Sequence, residues 1–157
     1  MALQTTSLSF ESTLRCSRTD LWNWITDLRC LRKEMMLFLR MTAPAGIRRL
    51  TDVQVTPGVP LFKSWIFYLG FLPLDYSHIT LLSLAPGQGF VEQSPMASMR
   101  SWLHEREILA HPSDPNLVVL RDTLTFEPRF FAGLATWLVR RLFTHRHAVL
   151  RREMGGT

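Results

Sequence analysis

The C-terminal stretch of this sequence, residues 129–154, constrains the fold more than any other part, because its pattern predicts one long amphipathic helix. Glu127-Pro128 precede the stretch and Gly155-Gly156 follow it, and such residues typically flank the two ends of a helix. At about 1.5 Å per residue, roughly 24 helical residues extend about 36 Å, which is enough to cross a small domain. We therefore expect the upstream chain to form the layer that this helix covers.

One side of the predicted helix is mostly apolar. At about 100° per residue, six positions fall within one narrow stripe, and we expect this stripe to be buried on a core. These positions are Phe131, Ala135, Leu138, Leu142, His145 and Val149. The opposite arc is predicted to be exposed and contains Thr136, Arg140, Thr144, His147 and Arg151. Arg146 lies about 60° from the centre of the stripe, so it should need a carboxylate partner, with Glu92 and Asp122 as the candidates.

Alternation of apolar and polar residues predicts a β-rich region before the helix. A first strand over residues 3–13 is followed by two short helices, one beginning at Ser17-Arg18-Thr19-Asp20 and the other covering residues 27–35. Residues 47–55 fit either an additional strand or an extended loop. Further strands are predicted at about residues 38–42, 61–71, 75–84, 89–94, 100–109 and 117–126.

This order of elements predicts an α+β fold in which the long helix covers a seven-stranded antiparallel sheet. Adjacent strands twist by about 20–25°, so a sheet of this size curves strongly. A long helix placed in the concave side of such a sheet cannot contact every strand. We therefore expect an internal cavity between the sheet and the helix.

Composition limits the class of protein. A chain of 157 residues with 46% hydrophobic content is expected to fold as one domain over residues 1–157. Its first residues contain neither a basic leader nor an apolar core, so a cytoplasmic location is expected. The apolar run at residues 59–74 contains Lys63 and is shorter than the roughly 20 residues that cross a bilayer. Cys16 and Cys30 are expected to remain reduced thiols.

The net charge of +5 raises the question of an acidic partner. Arginines concentrate near the C-terminus, where they are either a solvated helix face that favours the negative helix end or a weak contact for an anionic membrane surface. They are Arg140, Arg141, Arg146, Arg151 and Arg152. Nucleic-acid binding is not expected, because Trp102, His104 and Arg106 are the only interleaved aromatic and basic trio on a predicted strand.

Four local sequences, together with the order of elements, resemble the START-like superfamily, also called the helix-grip or birch-pollen-allergen-like fold, and within it bacterial SRPBCC proteins. They are LWNWITD at 21–27, FVEQS at 90–94, WLHER at 102–106 and LFTHRH at 142–147. The resemblance covers essentially the whole chain and implies a helix-grip fold. It implies no single function, because the superfamily includes lipid carriers, hormone receptors, polyketide cyclases, ubiquinone-binding proteins and ring-hydroxylase subunits.

Polar residues on two neighbouring predicted strands mark a candidate site. Alternation places Trp102, His104 and Arg106 on one face of their strand, and Asp122 interrupts an apolar row on the next. A buried carboxylate needs a partner, which His104 or Arg106 can supply across the hairpin. The cluster is either the polar end of a ligand pocket or a buried salt-bridge network that joins helix to sheet. The candidate ligand-binding residues are Trp102, His104, Arg106, Asp122, Tyr76, His78, Leu138, Leu142, His145 and Arg146.

Three functional hypotheses follow. The leading one is binding, or transport, of a hydrophobic small molecule such as a lipid, quinone or polyketide between the sheet and the last helix. The second is an enzyme of the polyketide cyclase or dehydratase type, with His104, Arg106 and Asp122 as catalytic candidates. In that enzyme His104 or His145 would carry a proton, and Arg106 or Arg146 would stabilise an enolate. The third is a peripheral membrane or protein-interaction module that docks through the basic last helix.

Neither a metal site nor a cofactor is expected. The sequence contains no HExxH motif, and His145 and His147 would point about 160° apart on a helix. It contains no GxGxxG or Walker sequence, and Gly87-Gln88-Gly89 fits a hairpin turn. Neither cysteine has a His or Asp partner in a motif, so a nucleophilic role has no support.

Overall fold

A computed structural model describes residues 5–35 and 39–157 and contains a seven-stranded antiparallel sheet and three α-helices. The strands are β1 (Thr6–Leu14), β2 (Leu39–Met41), β3 (Pro60–Tyr68), β4 (Leu72–Ala85), β5 (Gly89–Glu92), β6 (Met99–Ala110) and β7 (Val118–Pro128). The helices are α1 (Arg18–Thr26), α2 (Leu28–Met35) and α3 (Ala132–Met154). The predicted α+β fold is confirmed; residues 3, 4 and 38 of the predicted strands lie outside the described residues.

The strands lie in the order β1-β7-β6-β5-β4-β3-β2, so the first strand pairs with the last. Each neighbouring pair is antiparallel. Short hairpin turns connect β3 to β4 at residues 69–71 and β4 to β5 at residues 86–88, and longer loops at residues 93–98 and 111–117 connect β5 to β6 and β6 to β7. The two short helices follow β1, and α3 follows β7.

The helix start at Ser17 is confirmed by its capping bond. Ser17 is the N-cap of α1, and its hydroxyl accepts a hydrogen bond from the backbone N–H of Asp20 at 3.0 Å. The undecided segment 47–55 is a loop with one 3₁₀ turn at Leu50–Asp52. The Asp52 carboxylate stabilises this turn by accepting from the backbone N–H of Arg49 at 2.8 Å.

The predicted turn at Gly87-Gln88-Gly89 joins β4 to β5. Gly89 has φ +143°, and a Cβ atom built there would lie 1.9 Å from the carbonyl oxygen of Arg106. Only glycine permits this approach, because any side chain would collide with the backbone of the neighbouring strand. The turn therefore brings β5 close to the part of β6 that contains Arg106.

The orientation of α3 differs from the prediction. Its buried residues are Val139, Phe143, Arg146, His147, Val149 and Leu150. This face is rotated by about 90° from the predicted stripe. Phe131 and Leu138 of that stripe are 82% and 46% exposed, whereas His147, predicted to be exposed, is 2% exposed. Part of the predicted apolar stripe faces the opening of a cavity. His147 faces the core instead, because its ring has a buried partner there.

Two apolar clusters hold the layers together. The first joins α1, β7 and the C-terminal end of α3 and includes Leu21, Leu120 and Leu150. The second lies under the middle of α3 and includes Leu124 and Phe143. Asp122 therefore lies on β7 between two strand positions that belong to different clusters. Within the described residues, no helix is long and apolar enough to span a membrane.

Candidate functional site

A cavity of about 620 Å³ lies between the sheet and α3. Its lining comes from α1, α2, β2 to β6 and α3, together with Phe130 and Phe131 just before α3. Strands β1 and β7 contribute nothing, because α3 packs directly on that edge of the sheet, where Phe10 stacks on Phe143 at 5.7 Å. The expected gap between helix and sheet therefore opens over β2 to β6.

Asp122 is the centre of a buried polar network at the inner end of this cavity. Arg106, its partner across the hairpin, donates from Nε at 2.8 Å and from Nη2 at 2.9 Å. His104 Nε2 lies 2.7 Å and His147 Nε2 lies 2.9 Å from the same carboxylate. Because an ionised carboxylate only accepts, both imidazole nitrogens must donate. The predicted pairing of Asp122 with His104 and Arg106 is confirmed.

A second buried carboxylate, that of Glu34 on α2, completes the network. It accepts from Trp24 Nε1 at 2.8 Å, from Arg106 Nη2 at 3.2 Å and from Arg146 Nε at 2.8 Å. The prediction that Arg146 pairs with Glu92 or Asp122 is therefore wrong. Sequence spacing does not show which carboxylate the folded chain brings to a cation. The only available signal is the position of Glu34 beside the apolar face of α2.

Both carboxylates are ionised despite their burial. Burial alone raises the pKa of Asp122, but the charges of Arg106 and His104, together with the hydrogen bonds of His104 and His147, outweigh it and hold that pKa well below its usual range. Burial likewise raises the pKa of Glu34, and the charges of Arg106 and Arg146 bring it below its usual value. Each of the two buried guanidinium groups thus faces at least one buried carboxylate, as a buried network requires.

His104 is one of the three members of the network that line the cavity, with Arg106 and Arg146. It lines the cavity, and its ring packs edge-on against Phe90 at 5.5 Å and Phe143 at 5.1 Å. Its Nδ1 lies 3.5 Å from Glu92 Oε2, so carboxylates flank both ring nitrogens. Burial raises the pKa of Glu92, but bonding to His104 and Ser94 and the His104 charge lower it below its usual value.

The predicted ligand-binding residues divide into two groups. Those that line the cavity are Trp102, His104, Arg106, Leu138, Leu142 and Arg146. Asp122 does not line it and instead orients His104 and Arg106. His145 does not line it either, and burial together with Arg152 and Arg141 lowers its pKa.

Tyr76 and His78 also lie outside the cavity lining, contrary to the prediction. Alternate residues of β4 line the cavity, including Asp75, Ser77 and Ile79, so the intervening side chains point to the other face of the sheet. Tyr76 there packs beneath the Lys63 ammonium, 4.3 Å from the ring centroid. The prediction chose the wrong face of this strand.

Sequence reasoning missed a group of hydroxyl-bearing residues on the cavity-facing side of β3 and β4. Ser64 and Ser77 are cross-strand partners, and both are buried and line the cavity. The Ser64 hydroxyl donates to the carbonyl oxygen of Thr42 at 2.8 Å. The Ser77 hydroxyl has no hydrogen-bond partner among the described residues. Ser77 is thus a buried polar group that lines the cavity and has no hydrogen-bond partner among the residues that the structure describes.

The C-terminal arginines do not form one continuous basic face. Arg146 is buried against Glu34, and Arg151 donates to the Ser12 hydroxyl at 2.9 Å. That hydroxyl is 2.8 Å from His147 Nδ1, so Arg151 supports the network. The helix face proposed for membrane contact is therefore partly used inside the molecule.

Cys16 and Cys30 are unpaired, and burial is the main cause of the raised pKa of both thiols. Among residues 5–35 and 39–157, no group of three or more His, Cys, Asp or Glu side chains is placed to hold a metal ion.

Comparison with known proteins identifies a matching family model and solved structures with the same fold. The family model described as "Domain of unknown function (DUF8410)" matches residues 12–154. No curated protein matches the sequence. Among solved structures, a START superfamily protein from Mycobacterium smegmatis has a TM-score of 0.60 at 11% identity, with 96% of each chain covered.

Two further solved structures show the same fold. The aromatase/cyclase Zhui from Streptomyces sp. R1128 has a TM-score of 0.64 at 8% identity, with 96% of this chain and 94% of that chain covered. An HSP90 activator from Plasmodium falciparum has a TM-score of 0.60 at 11% identity, with 96% of this chain and 97% of that chain covered. The START-like, helix-grip fold that the local sequences implied is confirmed, and these identities bear on the fold alone.

Proposed function

The chain belongs to the family described as a domain of unknown function, DUF8410, and we propose that it binds a hydrophobic small molecule in the cavity between the sheet and α3. The observation that carries this proposal is the cavity itself. Its volume of about 620 Å³ falls in the range of small-molecule sites, and most of its lining is apolar. The bound molecule would cover side chains such as Trp102, Leu138 and Leu142.

The polar groups of the cavity restrict the chemistry of the ligand. Ser77 offers an unpartnered hydroxyl, and burial of such a group without a bond costs about 1–3 kcal/mol. His104, Glu92 and Arg146 form a second polar region at the inner end. A ligand with an apolar body and one or two oxygen functions would satisfy both regions. Lipids, quinones and polyketides share this chemistry.

A matched pair of helix substitutions tests the proposal. Ala135 lines the cavity and Ala148 is exposed on the same helix. Ala135→Phe should lower the affinity for the fluorescent probe 1-anilinonaphthalene-8-sulfonate at least tenfold, whereas Ala148→Phe should leave it unchanged. Native mass spectrometry of the purified protein should show a bound apolar compound that Ala135→Phe excludes. Equal probe affinity in both variants, or no binding by the unmodified chain, would contradict the proposal.

A second candidate function is catalysis of a cyclase or dehydratase type in the same cavity. The observation that favours it is the His104–Glu92 pair in the cavity lining, in which Glu92 Oε2 lies 3.5 Å from the imidazole Nδ1 and would relay a proton between His104 and a bound carbonyl compound. Arg106 bonds Asp122 and Glu34, so its first role is to hold this arrangement. His104→Gln should abolish turnover of a poly-β-ketone thioester without changing the affinity for that compound. Unchanged turnover would contradict the proposed catalytic function.

A further inference from the structure

The exposed apolar side chains of this protein are concentrated around the opening of the cavity. Ten of the twelve exposed large apolar residues that the structure describes lie within residues 68–74 and 130–138. The first segment is the β3–β4 hairpin tip, and the second leads into α3 and forms its first turns. Both segments contribute lining residues to the same cavity. We call these two segments, together with Arg32 and Arg141, the mouth surface.

The mouth surface is too apolar to be an ordinary solvated surface. Phe71 and Phe131 are 73% and 82% exposed, and Trp137 is 57% exposed. Scattered apolar residues are common on protein surfaces, but exposed apolar residues concentrated in two segments that line one cavity favour a contact with another molecule or with a membrane. Aromatic residues in particular favour the boundary between water and lipid.

The charges at the mouth have one sign. Arg32 and Arg141 are the exposed charged residues in the described cavity lining, and both are cationic. The two carboxylates in that lining, Asp75 and Glu92, are not exposed, and they bond Ser98 and Ser94 respectively. Exposed aromatic rings beside unopposed cations match the interface of an anionic bilayer, which supplies both an apolar boundary and negative headgroups.

We propose that the mouth surface docks on an anionic lipid bilayer, with the cavity opening toward the lipid. This docking site differs from the arginine-rich C-terminal turns of α3, where Arg146 and Arg151 are engaged inside the protein. A symmetric pair of chains would bring Arg32 and Arg141 of both copies to one interface without an exposed carboxylate from the mouth to pair them. The proposal goes beyond ligand binding, since docking does not require the cavity to be filled.

Vesicle flotation with defined lipids tests the proposal. The unmodified chain should bind vesicles of phosphatidylcholine with 30% phosphatidylglycerol at least tenfold more strongly than vesicles of phosphatidylcholine alone. The double variant Phe71→Ser/Phe131→Ser should lose at least tenfold in binding. Val59→Ser, an exposed apolar position outside the mouth surface, should bind like the unmodified chain. Circular dichroism and thermal unfolding of each variant check that the fold is retained.

The cationic part of the surface is tested separately. Arg32→Gln/Arg141→Gln should reduce binding to the anionic vesicles by roughly fivefold for each arginine, following the contribution of about 1 kcal/mol for a basic residue near an anionic membrane. Arg15→Gln/Arg152→Gln removes two exposed arginines elsewhere and should have little effect.

Three results would overturn the membrane proposal. The first is the absence of vesicle binding by the unmodified chain, and the second is equal losses in the mouth and control variants. The third is a concentration-dependent dimer, seen by light scattering, that Phe71→Ser/Phe131→Ser abolishes while vesicles remain unbound; the mouth surface would then bind a second copy. Failure here, with probe binding still blocked by Ala135→Phe, would leave the proposed ligand binding intact.

Discussion

Glu34 and Arg146 form an ion pair inside the protein, with Arg146 Nε 2.8 Å from Glu34 Oε2 and both side chains buried. The pair links α2 to α3, and Arg106 links it to the sheet because its guanidinium bonds both Glu34 and Asp122. One charged network thus connects the three layers that surround the inner end of the cavity. It positions His104 and Arg146 at the cavity wall.

Loss of the Glu34 charge should strongly destabilise the fold. Glu34→Gln leaves Arg106 and Arg146 short of one buried negative charge, and breaking such a pair costs about 3–5 kcal/mol. Urea unfolding should show a decrease of this order in the free energy of unfolding. Glu107→Gln, which removes an exposed carboxylate 3.9 Å from Arg121, should cost less than about 1 kcal/mol. Similar losses in both variants would contradict the assigned role of the network.

Stability should decrease in acid because the pKa values of Asp122, Glu34 and Glu92 lie below their ordinary values in the folded state. For a lowered folded-state pKa, the stabilisation is present above the unfolded-state pKa and is lost as pH falls through the folded-state value. The free energy of unfolding, measured in urea from pH 7 to pH 3, should therefore fall below about pH 4. Glu92→Gln should flatten this dependence, and Glu107→Gln should not; a flat profile in the unmodified chain would contradict the assignment.

Two glycines provide a matched test of the close contact between β5 and β6. Gly89→Ala places a methyl group against the Arg106 carbonyl and should cost at least about 2 kcal/mol through collision and strain. Gly133→Ala adds a methyl in open space within α3 and should be neutral or stabilise by up to about 1 kcal/mol. Thermal unfolding of both variants measures the difference. If Gly89→Ala melts like the unmodified chain, the close contact is not present.

Variants of the two serines on β3 and β4 should distinguish a hydroxyl that stabilises the fold from one that is available to a ligand. Ser64→Ala removes the bond to Thr42 and should destabilise by about 1 kcal/mol. Ser77→Ala removes an unpartnered hydroxyl and should leave the stability of the empty protein unchanged or slightly higher. Calorimetry with 2-naphthol and naphthalene should show that Ser77→Ala weakens binding of the phenol selectively. Equal losses for both compounds would argue against a bond from Ser77 to the ligand.

Local pattern predicted the elements of this fold well. Strand alternation, the Ser17 cap and the glycine that ends the last helix depend on neighbours within a few positions, and the structure confirms them. The predicted start of that helix is wrong, because Glu127 and Pro128 belong to β7 and α3 begins at Ala132. Hairpin connectivity also made β6 and β7 adjacent, so the contacts of Asp122 with His104 and Arg106 could be predicted.

The sequence did not predict which side of α3 is buried or which side chains of β4 face the cavity. Both could be determined only from the folded structure. Apolar periodicity identifies an arc of a helix but does not show whether that arc meets packed side chains, as Phe143 does, or the cavity opening, as Leu138 does. Each strand also has two faces, and the sequence of β4 did not show that Ser77 rather than Tyr76 faces the cavity.

The sequence by itself determined the order and type of the elements, the expectation of a cavity and two of the three side chains that bond Asp122, those of His104 and Arg106. Only the tertiary structure decided that Arg146 pairs with Glu34, 112 positions earlier in the chain, and that the exposed apolar residues of two distant segments surround one opening. The physical reason is that propensity, capping and hairpin pairing act between near neighbours. The partner of a buried charge and the side of an element that meets a cavity depend on how whole elements pack together.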